Sequence, residues 1–207
     1  SDKAFSKYRK IRFFLASFLN KLSAIGAQDH LMRQRFIDIG ASPRIVSVTG
    51  NMKFDWEPSF SSEASVQAAE ERLKGSGSFL WVAGSTHEGE EEILFDTYRS
   101  LSVRHPSLLF LMAPRHLTRL EAILRLASKK NAVVWRISEL NDTQSSLNGA
   151  AGPAPIFLLD SMGALANFYR LADAVFVGGS LVPKGGHTLV EPAYFEKPLL
   201  FGPFMNN

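Results

Sequence analysis

The sequence predicts an α/β fold, a parallel sheet with helices wound on both of its faces. Three observations predict it. Residues 79–83, 108–112, 132–137, 156–159 and 174–177 are short apolar runs, and a further run opens at Leu199. Without a polar break, such runs suit strands buried on both sides. Between them lie segments of helical periodicity, joined by short connections, the alternation that builds a doubly wound sheet. Sheets of this kind gather ligands beyond the carboxyl ends of their strands.

Residues 3–22 come first, basic and aromatic together: Lys3, Lys7, Arg9, Lys10 and Arg12 with Phe5, Tyr8, Phe13, Phe14 and Phe18. Ile11, Leu15, Phe18 and Leu22 fall on one helical face, flanked by Phe14. Such a helix suits either an anionic lipid surface or a protein neighbour, and the wide apolar face favours protein. Residues 29–39 predict a second helix, with Gly40 placed to end it. Residues 45–49 alternate at period two and read as a strand. Residues 56–62 are polar, contain Pro58 and lack periodicity, which marks a linker between domains.

The regular alternation then begins. A helix over about 62–73 leads through Gly75-Ser76-Gly77 to the strand 79–83, which Gly84-Ser85-Thr86 follows. The next helix places Glu88, Glu90, Glu91 and Glu92 in its first turn, where the helix dipole favours acids. Its apolar stripe is Leu94, Tyr98 and Leu101. Strand 108–112 ends in Pro114-Arg115, and a helix with Leu117, Leu120, Leu124 and Ala127 on one face follows. After strand 132–137, residues 138–154 read as a polar loop.

Residues 155–192 carry most of the functional information. The run 156–159 ends at Asp160-Ser161, with Ser161 placed as an N-cap and Gly163 allowing close approach to the first turn. Strand 174–177 runs into Gly178-Gly179-Ser180, and a second helix start follows at Gly185-Gly186-His187-Thr188. Two glycine-flanked helix starts, each past a buried strand, present unpaired N–H groups to an anion. Glu191, one turn on, matches the hydroxyls of a ribose, so phosphate plus ribose suggests a nucleotide. Either glycine pair alone reads as an ordinary tight turn; together, and with Glu191, they indicate a ligand site. Gly84-Ser85-Thr86, Pro114-Arg115, Ser161-Met162-Gly163 and Gly178-Gly179-Ser180 each follow a strand, so four segments converge on one sheet edge.

Composition narrows the chemistry. The chain has 207 residues, formal charge +3, 45% hydrophobic residues and no Cys. The mild basicity is compatible with an anionic ligand or surface, and no aromatic RNA-binding signature or long basic block points to nucleic acid. Disulfides, thiolate zinc sites and a Cys nucleophile are excluded. No run of apolar residues approaches membrane-spanning length. The chain opens at Ser1 and stops where an α/β fold should continue, and it reads as a piece of a larger protein.

Arg115 at a strand end suits a phosphate or base through its planar fork, and equally a surface salt bridge. His87 and His187 sit in glycine-containing turns, able to donate to phosphate or sugar oxygens and as often structural. The five histidines lack metal spacing. Gly-x-Ser-x-Gly, the Walker pattern and G-x-G-x-x-G after a strand are all absent. Asp160 at a helix start would have a depressed pKa, better suited to capping than to base chemistry. No residue announces itself as a catalytic base.

Five ordered motifs carry a specific resemblance. They are Thr49-Gly50-Asn51-Met52-Lys53-Phe54-Asp55, Ala83-Gly84-Ser85-Thr86-His87-Glu88-Gly89-Glu90, Ala113-Pro114-Arg115-His116, Asp160-Ser161-Met162-Gly163, and Val177-Gly178-Gly179-Ser180 through Gly186-His187 to Glu191-Pro192. Gly202-Pro203 followed by Asn206 continues them. Together they resemble bacterial 3-deoxy-D-manno-octulosonic acid (Kdo) transferases over nearly the whole chain.

The resemblance implies a two-domain GT-B glycosyltransferase that moves Kdo from CMP-Kdo to lipid A precursor (lipid IVA), with inversion and no metal or other cofactor. It would act at the cytoplasmic face of the bacterial inner membrane in lipopolysaccharide biosynthesis, peripherally or anchored by a segment preceding Ser1. Its implied partners are the CMP-Kdo donor, the lipid acceptor and the membrane surface, with no nucleic acid. Residues 1–57 then form the end of the acceptor domain plus linker, and 58–207 most of the donor domain. The resemblance places CMP against Pro114, Arg115, Met162, Gly163, Ala164, Thr188, Leu189, Val190 and Glu191. Further donor contacts are placed at Gly84, Ser85, Thr86, His87, Gly179, Ser180 and His187. Ala164 stands where the family usually has Glu, and Thr188 where it has Asn. The catalytic carboxylate lies upstream of Ser1, so no catalytic residue is expected within the chain. A GT-B enzyme using a UDP-sugar and a non-catalytic nucleotide-binding module are the alternatives.

Overall fold

A computed structural model describes residues 2–55, 57–74, 77–140 and 155–206, and side chains from Ala4 on. Trp56 of the linker, Gly75-Ser76, and the part of the polar loop from residue 141 to 154 lie outside the described residues. The chain divides into two compact units, Ser1–Glu57 and Pro58–Asn207.

The first unit holds helices α1 (Asp2–Lys10), α2 (Arg12–Leu19) and α3 (His30–Asp38), and strands β1 (Ile25–Ala27) and β2 (Val46–Val48). The helix expected over 3–22 is broken: Ile11, at φ −111° and ψ 22°, leaves helical torsions between α1 and α2. Neither Gly nor Pro marks that break in the sequence. Strand β1 carries no sequence mark, because its three residues include a glycine and offer too short a pattern. It pairs in parallel with β2, Ile25 opposite Val46. Ile25, Ala27, Ala41 and Val46 form the small buried cluster. Asp29 caps α3 by accepting from Met32 N–H at 2.6 Å, and Gly40, at φ +109°, turns the chain out of it.

The second unit is built on a six-stranded parallel sheet. Its strands are β3 (Phe79–Thr86), β4 (Leu108–Pro114), β5 (Val134–Arg136), β6 (Ile156–Leu158), β7 (Ala174–Val177) and β8 (Leu199–Leu200), in the order β5-β6-β4-β3-β7-β8. Side chains alternate between two cores, as a buried strand of period two requires. Leu80 and Val82, Leu109 and Leu111, Phe157, and Val175 and Val177 face one core. Trp81 and Ala83, Phe110 and Met112, Ile156 and Leu158, and Phe176 face the other. Helices α4 (Ala64–Leu73) and α7 (Leu165–Leu171) supply Val66, Leu73 and Phe168 to the first core. Helices α5 (Glu90–Arg104) and α6 (Leu120–Lys129) supply Phe95, Tyr98 and Ile123 to the second. Phe110, Phe157 and Phe168 are fully buried, and each such side chain stabilises the fold by about 1.5–3 kcal/mol. A last short helix is α8 (Val190–Tyr194). The doubly wound parallel sheet expected from the sequence is therefore the observed architecture.

Four local expectations change. Strand β3 does not stop before Gly84; pairing with β4 runs on through Gly84–Ala113 and Thr86–Pro114, with an irregularity at Ser85, whose φ is +57°. A bulge of this kind re-aims side chains at a strand end. Glu88 precedes α5 rather than entering it, because Gly89 at φ +93° starts the helix one residue later. Helix α7 starts at Leu165 behind Ala164, so Ser161 caps nothing. Asp160 does not cap it either: its carboxylate accepts from Arg136 Nε at 2.9 Å and from the N–H and hydroxyl of Ser138.

Candidate functional site

The chain runs outward from β3 to β4 and on to β5 and β6, then returns to add β7 on the other side of β3. The order therefore reverses between β3 and β7, and ligands of such sheets bind beyond the carboxyl ends near the reversal. The ends of β6, β4, β3 and β7 lie side by side there, and they differ in what they leave open.

Beyond β3, β4 and β6 is a small open pocket of about 80 Å³, lined by Ser85, Ala113, Pro114, Arg115, Leu159, Ser161, Met162, Gly163 and Leu165. Arg115 N–H is bonded to Thr86 O at 2.9 Å, which fixes the backbone and leaves the exposed side chain to the pocket. Among the described residues its guanidinium makes no ion pair, so the salt-bridge alternative finds no partner. The hydroxyl of Ser161 is sealed from solvent and has no hydrogen-bond partner. Gly163 takes φ +86° with nothing within 4 Å of where a Cβ would stand, so its backbone faces open space.

Glu191, half-buried in the first turn of α8, adjoins this pocket electrostatically. Burial raises its carboxyl pKa above the ordinary value and Arg115 pulls it back down. The same carboxylate helps burial push the Tyr169 phenol pKa up. Tyr169 in turn fills the space beside Gly84, where any Cβ would meet its hydroxyl. Gly84 is thus a packing glycine between β3 and α7.

The turn after β7 is different. Glu90, fully buried, takes four backbone N–H groups on its carboxylate: His87 at 2.8 Å, Gly179 at 2.7 Å, and Ser180 and Leu181 at 2.9 Å each. Ser180 Oγ donates to Val177 O and accepts from Gly202 N–H. Every donor of Gly179 and Ser180 is therefore spent inside the protein, which corrects the reading of this turn as an open anion cradle. Glu90 itself looked like one of several acids complementing a helix dipole. Its only signal was the His-x-x-Glu spacing, which lets it reach back to the His87 N–H.

Above that turn the rings of His87 and His187 meet Nε2 to Nε2 at 2.7 Å. They are parallel within 4° with centroids 5.0 Å apart. That separation is what rings sharing a plane and meeting nitrogen to nitrogen require, so the contact is an in-plane hydrogen bond and not a face-to-face stack. His116 stands edge-on to His87 at 5.8 Å. Burial lowers the pKa of both rings; Glu90 opposes this, while Arg115 and His116 add to it on both, and Lys184 on His87.

The open pocket thus brings together Ser85, Pro114, Arg115, Met162 and Gly163, with Glu191 beside it. Ala164 is fully buried, its methyl in the core with Phe168 and Leu159; that side chain offers a ligand nothing. Thr86 is also fully buried. Thr188 Oγ1 accepts from Val190 N–H at 3.2 Å and Leu189 packs on the core, so these two begin α8 locally. Helices α7 and α8 are only 7 and 5 residues long, too short for much dipole. A larger hollow, about 550 Å³, lies at the opposite sheet edge among Tyr98, Val103, Pro106 and Val133, away from these groups. Among the described residues no group of three or more His, Cys, Asp or Glu could hold a metal.

Comparison with known proteins adds the decisive observation. The family described as 3-deoxy-D-manno-octulosonic-acid transferase (kdotransferase) matches residues 1–56. A Haemophilus influenzae 3-deoxy-D-manno-octulosonic acid transferase is 32% identical over 98% of this chain and 45% of its own length. The chain is similar to Kdo transferases. A bifunctional glycosyltransferase/methyltransferase of Fusobacterium nucleatum is 33% identical over the whole chain and 31% of its own length. The chain spans less than half of the length of these two relatives. Among solved structures, the C-terminal CMP-Kdo binding domain of WaaA from Acinetobacter baumannii matches with a TM-score of 0.58 and 27% identity, over 69% of this chain and 70% of that one.

Proposed function

We propose that residues 58–207 hold the nucleotide of a CMP-Kdo donor, and that the longer protein transfers Kdo to a lipid A precursor. The observation that carries this is Arg115, unpaired in an open pocket at the strand-order reversal, in a fold similar to a CMP-Kdo binding domain. Arg115 can meet the phosphate through charge-assisted hydrogen bonds, the unpartnered Ser161 hydroxyl can add one, and Glu191 can accept from the ribose hydroxyls. As the bond to the leaving CMP breaks, negative charge grows on the phosphate, and a pre-placed guanidinium lowers that barrier. The base that deprotonates the acceptor hydroxyl, whose oxygen then attacks the anomeric carbon with inversion as CMP leaves, belongs, in this reading, to the acceptor domain, of which residues 1–57 are one part.

The same reading puts the protein on the inner membrane's cytoplasmic face. No helix among the described residues is long and apolar enough to cross a membrane. Phe13, Phe14 and Phe18, at 88%, 73% and 66% exposure beside Arg9, Lys10 and Arg12, suit an anionic lipid surface; failure to float with anionic vesicles would remove that part.

Calorimetric titration of the chain with CMP and UMP tests the donor assignment. CMP should bind at least about tenfold more tightly, a difference of about 1.4 kcal/mol. Equal binding would move the assignment to UDP-sugar enzymes.

A further inference from the structure

We infer that the His87–His187 pair is a separate anion subsite that takes the carboxylate of the donor's ulosonic acid; this rests on the CMP-Kdo reading above. An octulosonic acid activated on CMP carries two acidic groups, a phosphate and a carboxylate. The Arg115 pocket answers one of them. A second anion arriving beside β7 cannot use the backbone there, because Glu90 already holds the N–H groups of Gly179, Ser180 and Leu181. What remains at that position is side chains, and they are basic.

His87 and His187 face each other with their Nε2 atoms 2.7 Å apart, an arrangement that holds one proton between them. With both Nε2 atoms protonated the rings cannot stay so close. An oxygen anion between them then accepts from both, as a carboxylate does from paired donors. His116 stands against His87, and Lys184 and Arg115 lie close enough to act on its charge. Glu90 is the opposing charge, and its oxygens are already engaged by four N–H groups. The rings lie over Gly179, where an added Cβ would come within 3.3 Å of His87 Cδ2 and 3.2 Å of His187 Cδ2 and crowd them. Gly179, at φ +71°, is thus the floor of the pair. Arg115 lines the first pocket and its charge also acts on both rings, so phosphate and carboxylate would sit at neighbouring positions, as they do on a sugar activated at the carbon that bears its carboxylate.

The test is calorimetry on this 207-residue chain with CMP, CMP-Kdo and CDP as probes, for the wild type, His187→Gln and Lys184→Met, with thermal melts to confirm folding. CMP-Kdo should bind wild type about tenfold or more tightly than CMP. His187→Gln should remove most of that gain while leaving CMP affinity within about twofold, and Lys184→Met, in an exposed loop, should remove part of it. If His187→Gln misfolds, Lys184→Met still decides. No gain of CMP-Kdo over CMP, or equal loss of both ligands in the variants, overturns the subsite. A matching gain with CDP, also lost in His187→Gln, overturns the carboxylate assignment in favour of a second phosphate. Failure of wild type to bind CMP at all would instead overturn the nucleotide reading.

Discussion

Two turns at the same sheet edge look alike in sequence and behave in opposite ways. The segment after β7, Gly178-Gly179-Ser180, and the segment after β6, Ser161-Met162-Gly163, both follow buried strands and both contain a glycine at positive φ. In the first, a buried carboxylate from α5 occupies the backbone donors. In the second, Gly163 faces open space, the Ser161 hydroxyl has no partner, and Arg115 stands across the pocket. A glycine-containing turn past a strand therefore makes an anion cradle only when no internal acid has already filled it.

The largest effect should come from emptying the filled turn. Glu90→Ala strands four backbone donors, and each buried unsatisfied group costs about 1–3 kcal/mol. Allowing for water entry and relaxation, urea unfolding should show a loss of about 3 kcal/mol or more. A loss below about 1 kcal/mol would mean that the carboxylate does not tie β7 to α5, and the contrast between the two turns would collapse.

Arg115→Ala acts on the open side and should do the reverse. Being exposed and without an ion pair, its removal should leave stability within about 0.5 kcal/mol. CMP affinity should fall about tenfold or more, as for a lost charged hydrogen bond of about 1.5–3 kcal/mol. Unchanged CMP affinity would show that the open pocket is not where the phosphate sits.

The smallest effect concerns Glu191. Its folded pKa is raised by burial, so its protonated form is favoured in the folded state. The stability this gives is full below the ordinary carboxyl pKa of 4.5 and is lost as pH rises through the raised value. Ribose hydroxyls, however, donate to the ionised form, so CMP binding should strengthen over the same interval. Wild type minus Glu191→Gln should show a change of a few-fold in affinity, which cancels the titration of CMP itself. A flat difference would take Glu191 off the ribose.

Much of the fold could be read directly. Strand 174–177 is identical in sequence and structure, and strands 79–83 and 108–112 are extended only at their carboxyl ends. Those extensions matter, because continued pairing turns Gly84-Ser85-Thr86 from a loop into the bulged end of β3. The break at Ile11 and the three-residue β1 carry no local mark. At the site, Pro114, Arg115, Met162 and Gly163 could be picked out because each lies next to a readable strand end. Glu90 and the ring contact of His87 with His187 could not.

By itself the sequence determined where the chain is buried and in which period, because apolar alternation is a property of neighbouring residues and survives any arrangement that hides one face. Tertiary structure decided which polar groups remain free. Glu90 and Gly179 are 89 positions apart, and His87 and His187 are 100 apart. Hydrogen bonds over such separations depend on how β3 and β7 are brought side by side, and no local pattern records which donors that meeting will consume.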